Sequence, residues 1–141
     1  MSEPTKYLAP SPIPTPETES FWTTAREGVF LVPRCRTCER AHWYPRAICP
    51  HCMGSDVTLE PSTGLAKVYS YTVTRHASHP FVLAYVTLSE GPSMLTHLVG
   101  KDPDAWSIGD EVQVQFQATD GDYPIPVFAP YVASTLKERS A

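Results

Sequence analysis

The sequence predicts a mainly β chain in three parts: a short N-terminal helix, a ribbon around paired cysteines, and a five-stranded barrel. Three observations carry this. A stretch with helix-starting residues and two adjacent aromatics closes on Gly28. Four cysteines fall into two Cys-x-x-Cys pairs. The roughly 70 residues after them break into short apolar runs separated by turn residues.

Residues 1–15 carry Pro4, Pro10, Pro12 and Pro14 with few large apolar groups. They read as an extended tail that orders only against a partner or the body of the protein. Residues 16–28 read as the helix. Thr15 can cap it, Pro16 suits its first position, Glu17 and Glu19 suit the positive end of its dipole, and Gly28 closes it. Phe21, Trp22 and Ala25 form its apolar stripe. They either pack on their own domain or, as adjacent large aromatics, anchor another subunit.

Residues 29–60 read as the cysteine ribbon, and Pro61 to Gly64 as the break after it. Residues 61–131 read as the barrel, with strands at Leu65–Thr74, Phe81–Leu88, Met94–Val99, Val112–Ala118 and Val127–Ala129. Five strands in a segment of this length match a small barrel of the OB kind. Residues 132–141 read as a C-terminal tail. Val112, Val114, Phe116 and Ala118 alternate with three glutamines, so that strand has a core face and a wet face. The first two strands are apolar on both faces. Tyr69, Tyr71, Phe81 and Tyr85 are expected to point outward, where a solvated sheet would not carry that much aromatic area. Together with Phe21 and Trp22 they form the expected partner interface.

Cys35, Cys38, Cys49 and Cys52 form two knuckles joined by Glu39 to Ile48. A two-residue spacer turns both sulfurs of a knuckle toward one ion. Four thiolates leave no open coordination position, which marks a structural and not a catalytic site. Structural zinc in a rubredoxin-like ribbon is the expected occupant; a rubredoxin-type iron site and unligated or oxidised thiols are the alternatives. Each knuckle wants a residue tolerant of positive φ after its second cysteine, and here Glu39 and Met53 hold those places, with Gly54 one step late. His42 and His51 lie near enough to be substitute ligands, but with four thiols already sufficient they read as surface residues beside the site. Arg34, Arg36, Arg40 and Arg46 make the ribbon locally basic, either as solvated side chains or as phosphate contacts.

The chain has 141 residues, 42% of them apolar, which suits one medium domain or two small ones. A net charge of −4 argues against a dedicated polyanion binder. No apolar run would span a bilayer and no export signal is evident, so no membrane association is expected and the cytoplasm is the expected compartment. Thiols stay reduced there, which favours metal ligation over disulfides. Catalytic signatures such as G-x-S-x-G, a phosphate-cradling glycine loop or H-E-x-x-H do not occur. His76, His79 and His97 read as structural or exposed, and the Asp102/Asp104 and Asp120/Asp122 pairs as turn residues.

The run Pro14-Thr-Pro-Glu-Thr-Glu-Ser-Phe-Trp, followed by Pro33-Arg-Cys-Arg-Thr-Cys, Trp43-Tyr-Pro-Arg and Cys49-Pro-His-Cys, resembles the zinc-ribbon OB-fold family labelled domain of unknown function 35. Gly64-Leu-Ala-Lys-Val-Tyr-Ser-Tyr-Thr-Val, Ile108-Gly-Asp-Glu-Val and Pro126-Val-Phe-Ala-Pro look like its barrel, so the likeness covers roughly residues 14–130. The resemblance implies a small subunit bound to a thiolase-fold protein acting on acyl-CoA esters. Such partners include thiolases, acyltransferases and the lipid-transfer-protein-like aldolases that shorten steroid side chains, and overall likeness points to the aldolase type. The partner would carry the reacting groups. This chain would support it, with Arg40 and Arg46 as candidate contacts to the CoA phosphates. The alternative is a single-stranded nucleic-acid module that stacks bases on Tyr69, Tyr71 and Tyr85, against which the net acidity weighs.

Overall fold

The computed structural model describes residues 8–75 and 80–131. His76, His79, Met1–Tyr7 and the expected tail 132–141 lie outside the described residues. The proline-rich lead lies on the body of the protein. Asp120 N–H donates to the Ala9 carbonyl (3.0 Å), Ser11 N–H to Asp120 Oδ1 (2.9 Å), and Tyr123 N–H to Ser11 Oγ (3.2 Å).

Helix α1 spans Glu19–Ala25, shorter than the 16–28 expected. Thr18 N–H donates to the Thr15 carbonyl (3.0 Å), so residues 15–18 close a separate turn and Thr18, not Thr15, occupies the cap position. Glu17 is drawn away from the dipole: its Oε2 accepts the Ala47 N–H at 2.8 Å, tying α1 to the loop between the knuckles. Gly28 ends the segment at φ 82°, as its position requires. No described helix is long and apolar enough to cross a membrane.

Of the two readings of Phe21 and Trp22, packing on their own domain is the one their burial supports. They are 0% and 7% exposed. Phe21 packs edge-on against Trp22 (4.8 Å), Trp43 (5.4 Å) and Phe30 (6.0 Å), and Phe30 in turn meets Phe116 (6.3 Å) and Phe128 (6.2 Å). A helix of 7 residues has little stability of its own. It holds because this aromatic cluster joins helix, ribbon and barrel into one core.

Strands β1 (Leu31–Cys35) and β2 (Val57–Pro61) pair antiparallel and form the ribbon. The closed barrel takes β3 (Leu65–Thr74), β4 (Phe81–Leu88), β5 (Ser93–Leu98), β6 (Glu111–Gln117) and β7 (Ile125–Pro130) in the order β3-β4-β5-β7-β6. This is the five-stranded OB-type barrel the sequence predicts. Gly64 enters it at φ 76°, and its carbonyl accepts the Val114 N–H at 2.8 Å. A Cβ there would lie 2.4 Å from Val114 Cγ1, so both conformation and space demand glycine.

A bulge corrects the assignment of Tyr71. Val68 pairs with Val86, but Ser70 pairs with Tyr85, so β3 gains one residue at Tyr69 and its alternation inverts. Tyr71 and Val73 thus stand opposite the buried Ala84 and Val82, in the inward phase of the strand, although Tyr71 is still 37% exposed. The Tyr71 hydroxyl donates to the Trp106 carbonyl at 2.8 Å. Tyr69, Phe81 and Tyr85 remain outward-facing and exposed.

Candidate metal centre

The first knuckle leaves the end of β1, and the second sits in the loop that returns to β2. Their backbones repeat one pattern. Cys35 N–H donates to the Arg40 carbonyl (3.0 Å) and Glu39 N–H to the Cys35 carbonyl (2.8 Å). Likewise Cys49 N–H donates to the Gly54 carbonyl (2.8 Å) and Met53 N–H to the Cys49 carbonyl (2.9 Å). Glu39 and Met53 both adopt φ 66°. The positive-φ positions expected after each second cysteine are therefore used, by residues that disfavour the conformation by about 1–2 kcal/mol each. Gly54, one step late in the sequence, has its own task. Its N–H donates to Cys52 Sγ (3.4 Å), and a Cβ there would crowd the same sulfur at 3.2 Å.

The four sulfurs lie within 4.8 Å of one another. Cys35 and Cys52 Sγ are 3.6 Å apart, and Cys38 and Cys49 Sγ 3.7 Å apart. A zinc tetrathiolate with bonds of ~2.3 Å has tetrahedral edges of about 3.8 Å, so the donor set fits that ion. Backbone N–H groups of Cys38 (3.5 Å, to Cys35), His51 (3.3 Å, to Cys49) and Gly54 stabilise anionic sulfur. The Cys38 N–H leads the bonds that hold the Cys35 thiol down to about 6. At Cys52 the Gly54 N–H pulls the same way, but the proton shared with Cys35, and burial, push it up to about 11. A divalent cation that displaces the shared proton would let all four sulfurs act as thiolates, and a closed set of four makes a structural site.

The neighbouring histidines are not part of this cluster. His51 is exposed, with Nε2 3.3 Å from the Ala41 carbonyl. His42 is not the surface residue expected: it is 2% exposed, and neither ring nitrogen has a hydrogen-bond partner among the described residues. Burial, then the charges of His51 and Arg46, lower its pKa and keep the ring neutral.

The ribbon arginines separate by role. Arg34 is structural: Nε pairs with Glu60 (3.2 Å) and Nη1 donates to the Glu39 carbonyl (2.7 Å). Arg40 lines a cavity of about 350 Å³ with His51 and Glu90, whereas Arg46, itself exposed on the inter-knuckle loop, is not among its lining residues. Trp43 and Tyr44, on that same loop, were not assigned a role from sequence. They wall a second, apolar cavity of about 360 Å³ against Leu95, His97 and Pro126 of the barrel. Only the pairing of β5 and β7 reveals that cavity; no sequence motif marks it.

Residues 22–60 match the family described as ChsH2, rubredoxin-like zinc ribbon domain, and residues 60–117 that described as ChsH2, C-terminal OB-fold domain. The chain is 33% identical over 132 residues to the probable enoyl-CoA hydratase alpha subunit of Thermomonospora curvata, covering 90% of this chain and 41% of that protein. It therefore spans about two-fifths of that relative's length. It is 31% identical over 111 residues to a DUF35 domain-containing scaffold protein of Methanocaldococcus jannaschii, covering 72% of this chain and 79% of that protein. Among solved structures it is similar to the Ltp2-ChsH2(DUF35) aldolase, with a TM-score of 0.77, 32% identity, and coverage of 86% of this chain and 99% of that one. The cysteine cluster and the ribbon match together support structural zinc. With ribbon, barrel and relatives in agreement, the chain belongs to the DUF35 family of ChsH2-type zinc-ribbon OB-fold proteins.

Proposed function

We propose that this chain is a non-catalytic subunit that assembles with a thiolase-fold enzyme acting on acyl-CoA esters, of the retro-aldol type that shortens steroid side chains. The observation that carries this reading is the likeness, over nearly the whole of both chains, to a member of a complex whose name joins Ltp2 to ChsH2. The polar residues support it, because their bonds are structural. Asp104 pairs with Arg75, Asp110 with Lys101, and Asp120 ties down the N-terminal segment. Glu90 accepts from Ser62, and His97 stacks on Phe81. The reacting groups then belong to the partner. Tyr69, Phe81 and Tyr85 face it, and Arg40 and Arg46, in no ion pair among the described residues, reach toward the CoA phosphates. Against the nucleic-acid alternative, the Tyr71 hydroxyl is held by the Trp106 carbonyl, which restrains one of its three stacking platforms.

The test is reconstitution. The full chain is expected to show no carbon–carbon cleavage of a β-hydroxyacyl-CoA alone, and to restore it when co-expressed and co-purified with its thiolase-fold subunit. Cleavage by the isolated chain, or recovery of single-stranded nucleic acid with no thiolase-fold protein, would overturn the reading.

A further inference from the structure

The barrel is closed by an incomplete seam. β5 pairs with β4 from Val82–Leu98 to Thr87–Ser93. On its other side it meets β7 at one position, Leu98 with Phe128, extended by the Val99 N–H on the Phe128 carbonyl (2.8 Å). Upstream of that point Thr96 Oγ1 donates to the Pro126 carbonyl (3.2 Å), a side chain standing where a ladder bond would run. The Val99 bond sets the phase of β5, in which every second residue turns its N–H and C=O to the β7 side. Ser93 and Leu95 therefore present backbone groups to the seam, and among the described residues β5 has no other strand pairing there. Unpaired strand groups beside an apolar cavity are the chemistry that receives an extended polypeptide.

The surroundings favour the same occupant. The seam cavity is walled on one side by Trp43 and Tyr44 and opens onto the outer face of β4 and β5, with which it shares Leu83, Leu95 and His97. That face continues through Phe81 (38% exposed) and Tyr85 (48%), while Leu95 is 50% exposed. Neither β4 nor β5 contains a single Asp, Glu, Lys or Arg, whereas the outward residues of β6 are a glutamate and three glutamines. Depletion of charge around exposed aromatics is the composition of an interface core and not of a solvated sheet.

We propose that the β5–β7 seam receives an extended segment of the partner protein, which adds to the edge of β5 and lays apolar side chains against Trp43, Tyr44 and the β4–β5 face. This rests on the subunit reading above and locates its interface. It also makes the interface depend on the metal, since one wall of the seam is the loop whose two ends are fixed by Cys38 and Cys49.

The experiment measures binding of full-length, zinc-loaded chain to the purified thiolase-fold subunit by calorimetry, with hydrogen exchange followed across residues 93–99. Leu95→Asp is expected to weaken binding at least 30-fold while retaining one zinc per chain and the wild-type circular dichroism. Gln115→Asp, on the glutamine face, is expected to stay within threefold. Exchange of the 93–99 segment should slow at least tenfold in the wild-type complex. Should Leu95→Asp fail to fold, the exchange measurement on wild type decides alone. Wild type that binds while Leu95→Asp binds equally and the segment exchanges unchanged overturns the seam but leaves the subunit reading standing. Wild type that binds no thiolase-fold subunit overturns both. Protection of the segment by self-association, without partner, overturns the seam proposal in favour of a second copy.

Discussion

Glu39 and Met53 hold the left-handed conformation that closes each knuckle, and Met53 does so while 73% exposed. Nothing in its packing repays that backbone cost, so Met53→Gly should stabilise the zinc-bound ribbon by up to ~1 kcal/mol, the penalty for a side chain at positive φ less glycine's extra chain entropy. Chelator competition checks this: the variant should hold zinc at least as tightly as wild type, and weaker retention would contradict the account. A second residue-scale prediction concerns His97. Burial lowers its pKa below the usual 6.5, with Phe81 stacked on the ring at 4.9 Å. The unfolded chain therefore takes up this proton first as pH falls. The neutral ring's contribution is intact above about 6.5 and is lost as pH drops through the lower, folded value. An imidazole titration followed by NMR should place His97 below 6.5, and the urea midpoint of wild type should fall more between pH 7 and 5 than that of His97→Gln. A His97 that titrates above 6.5 would refute it.

Single elements separate by what their partners reveal. The bounds of β3 and β4 are legible in the sequence because His79–Pro80 and Glu90–Gly91–Pro92 interrupt long apolar runs. The bulge was available only as a phase slip: Ala66 and Val68 sit on even positions, Tyr71 and Val73 on odd ones, and Tyr-Ser-Tyr hides the change until β4 is laid beside it. The same slip puts Tyr71 in the inward phase of β3, where its hydroxyl bonds the Trp106 carbonyl. Tyr71→Phe should consequently cost about 1 kcal/mol of folding stability, the net worth of one hydroxyl hydrogen bond, and leave partner affinity unchanged. Phe81→Asp should do the reverse. Urea denaturation and partner titration of the two variants check this, and a Tyr71→Phe that weakens binding at wild-type stability would return Tyr71 to the interface. The helix left two readings open for a related reason. Two adjacent aromatics identify an apolar surface, but only the neighbouring Phe30, Trp43 and Tyr44 show that it is already covered. By contrast the cysteine cluster was fully legible, since knuckle spacing alone dictates which sulfurs converge.

Across the whole molecule the metal and the core are coupled through one loop. Trp43 lies between Cys38 and Cys49 in sequence, packs on Phe21 (5.4 Å) and Phe30 (5.6 Å), and lines the seam; Tyr44 beside it accepts the Trp22 Nε1–H at 3.1 Å. Phe30 in turn reaches Phe116 and Phe128 inside the barrel. Structural zinc contributes ~10–16 kcal/mol in isolated zinc-finger peptides, as much as the ~5–15 kcal/mol net stability of an ordinary domain. Losing it should therefore release not only the ribbon but also the cover of α1 and one wall of the docking seam. Cys38→Ala is expected to bind no stoichiometric zinc, to shift tryptophan emission to the red as Trp22 and Trp43 meet water, and to lose assembly with the proposed thiolase-fold partner. Any loss of cleavage activity then follows from lost assembly, so adding excess partner should restore part of it if the barrel stays folded. Metal analysis, emission spectra and gel filtration of the mixture read the three effects separately. A zinc-free chain that kept its emission maximum and its complex would show that the aromatic core holds the loop without the metal, and would detach the zinc from assembly.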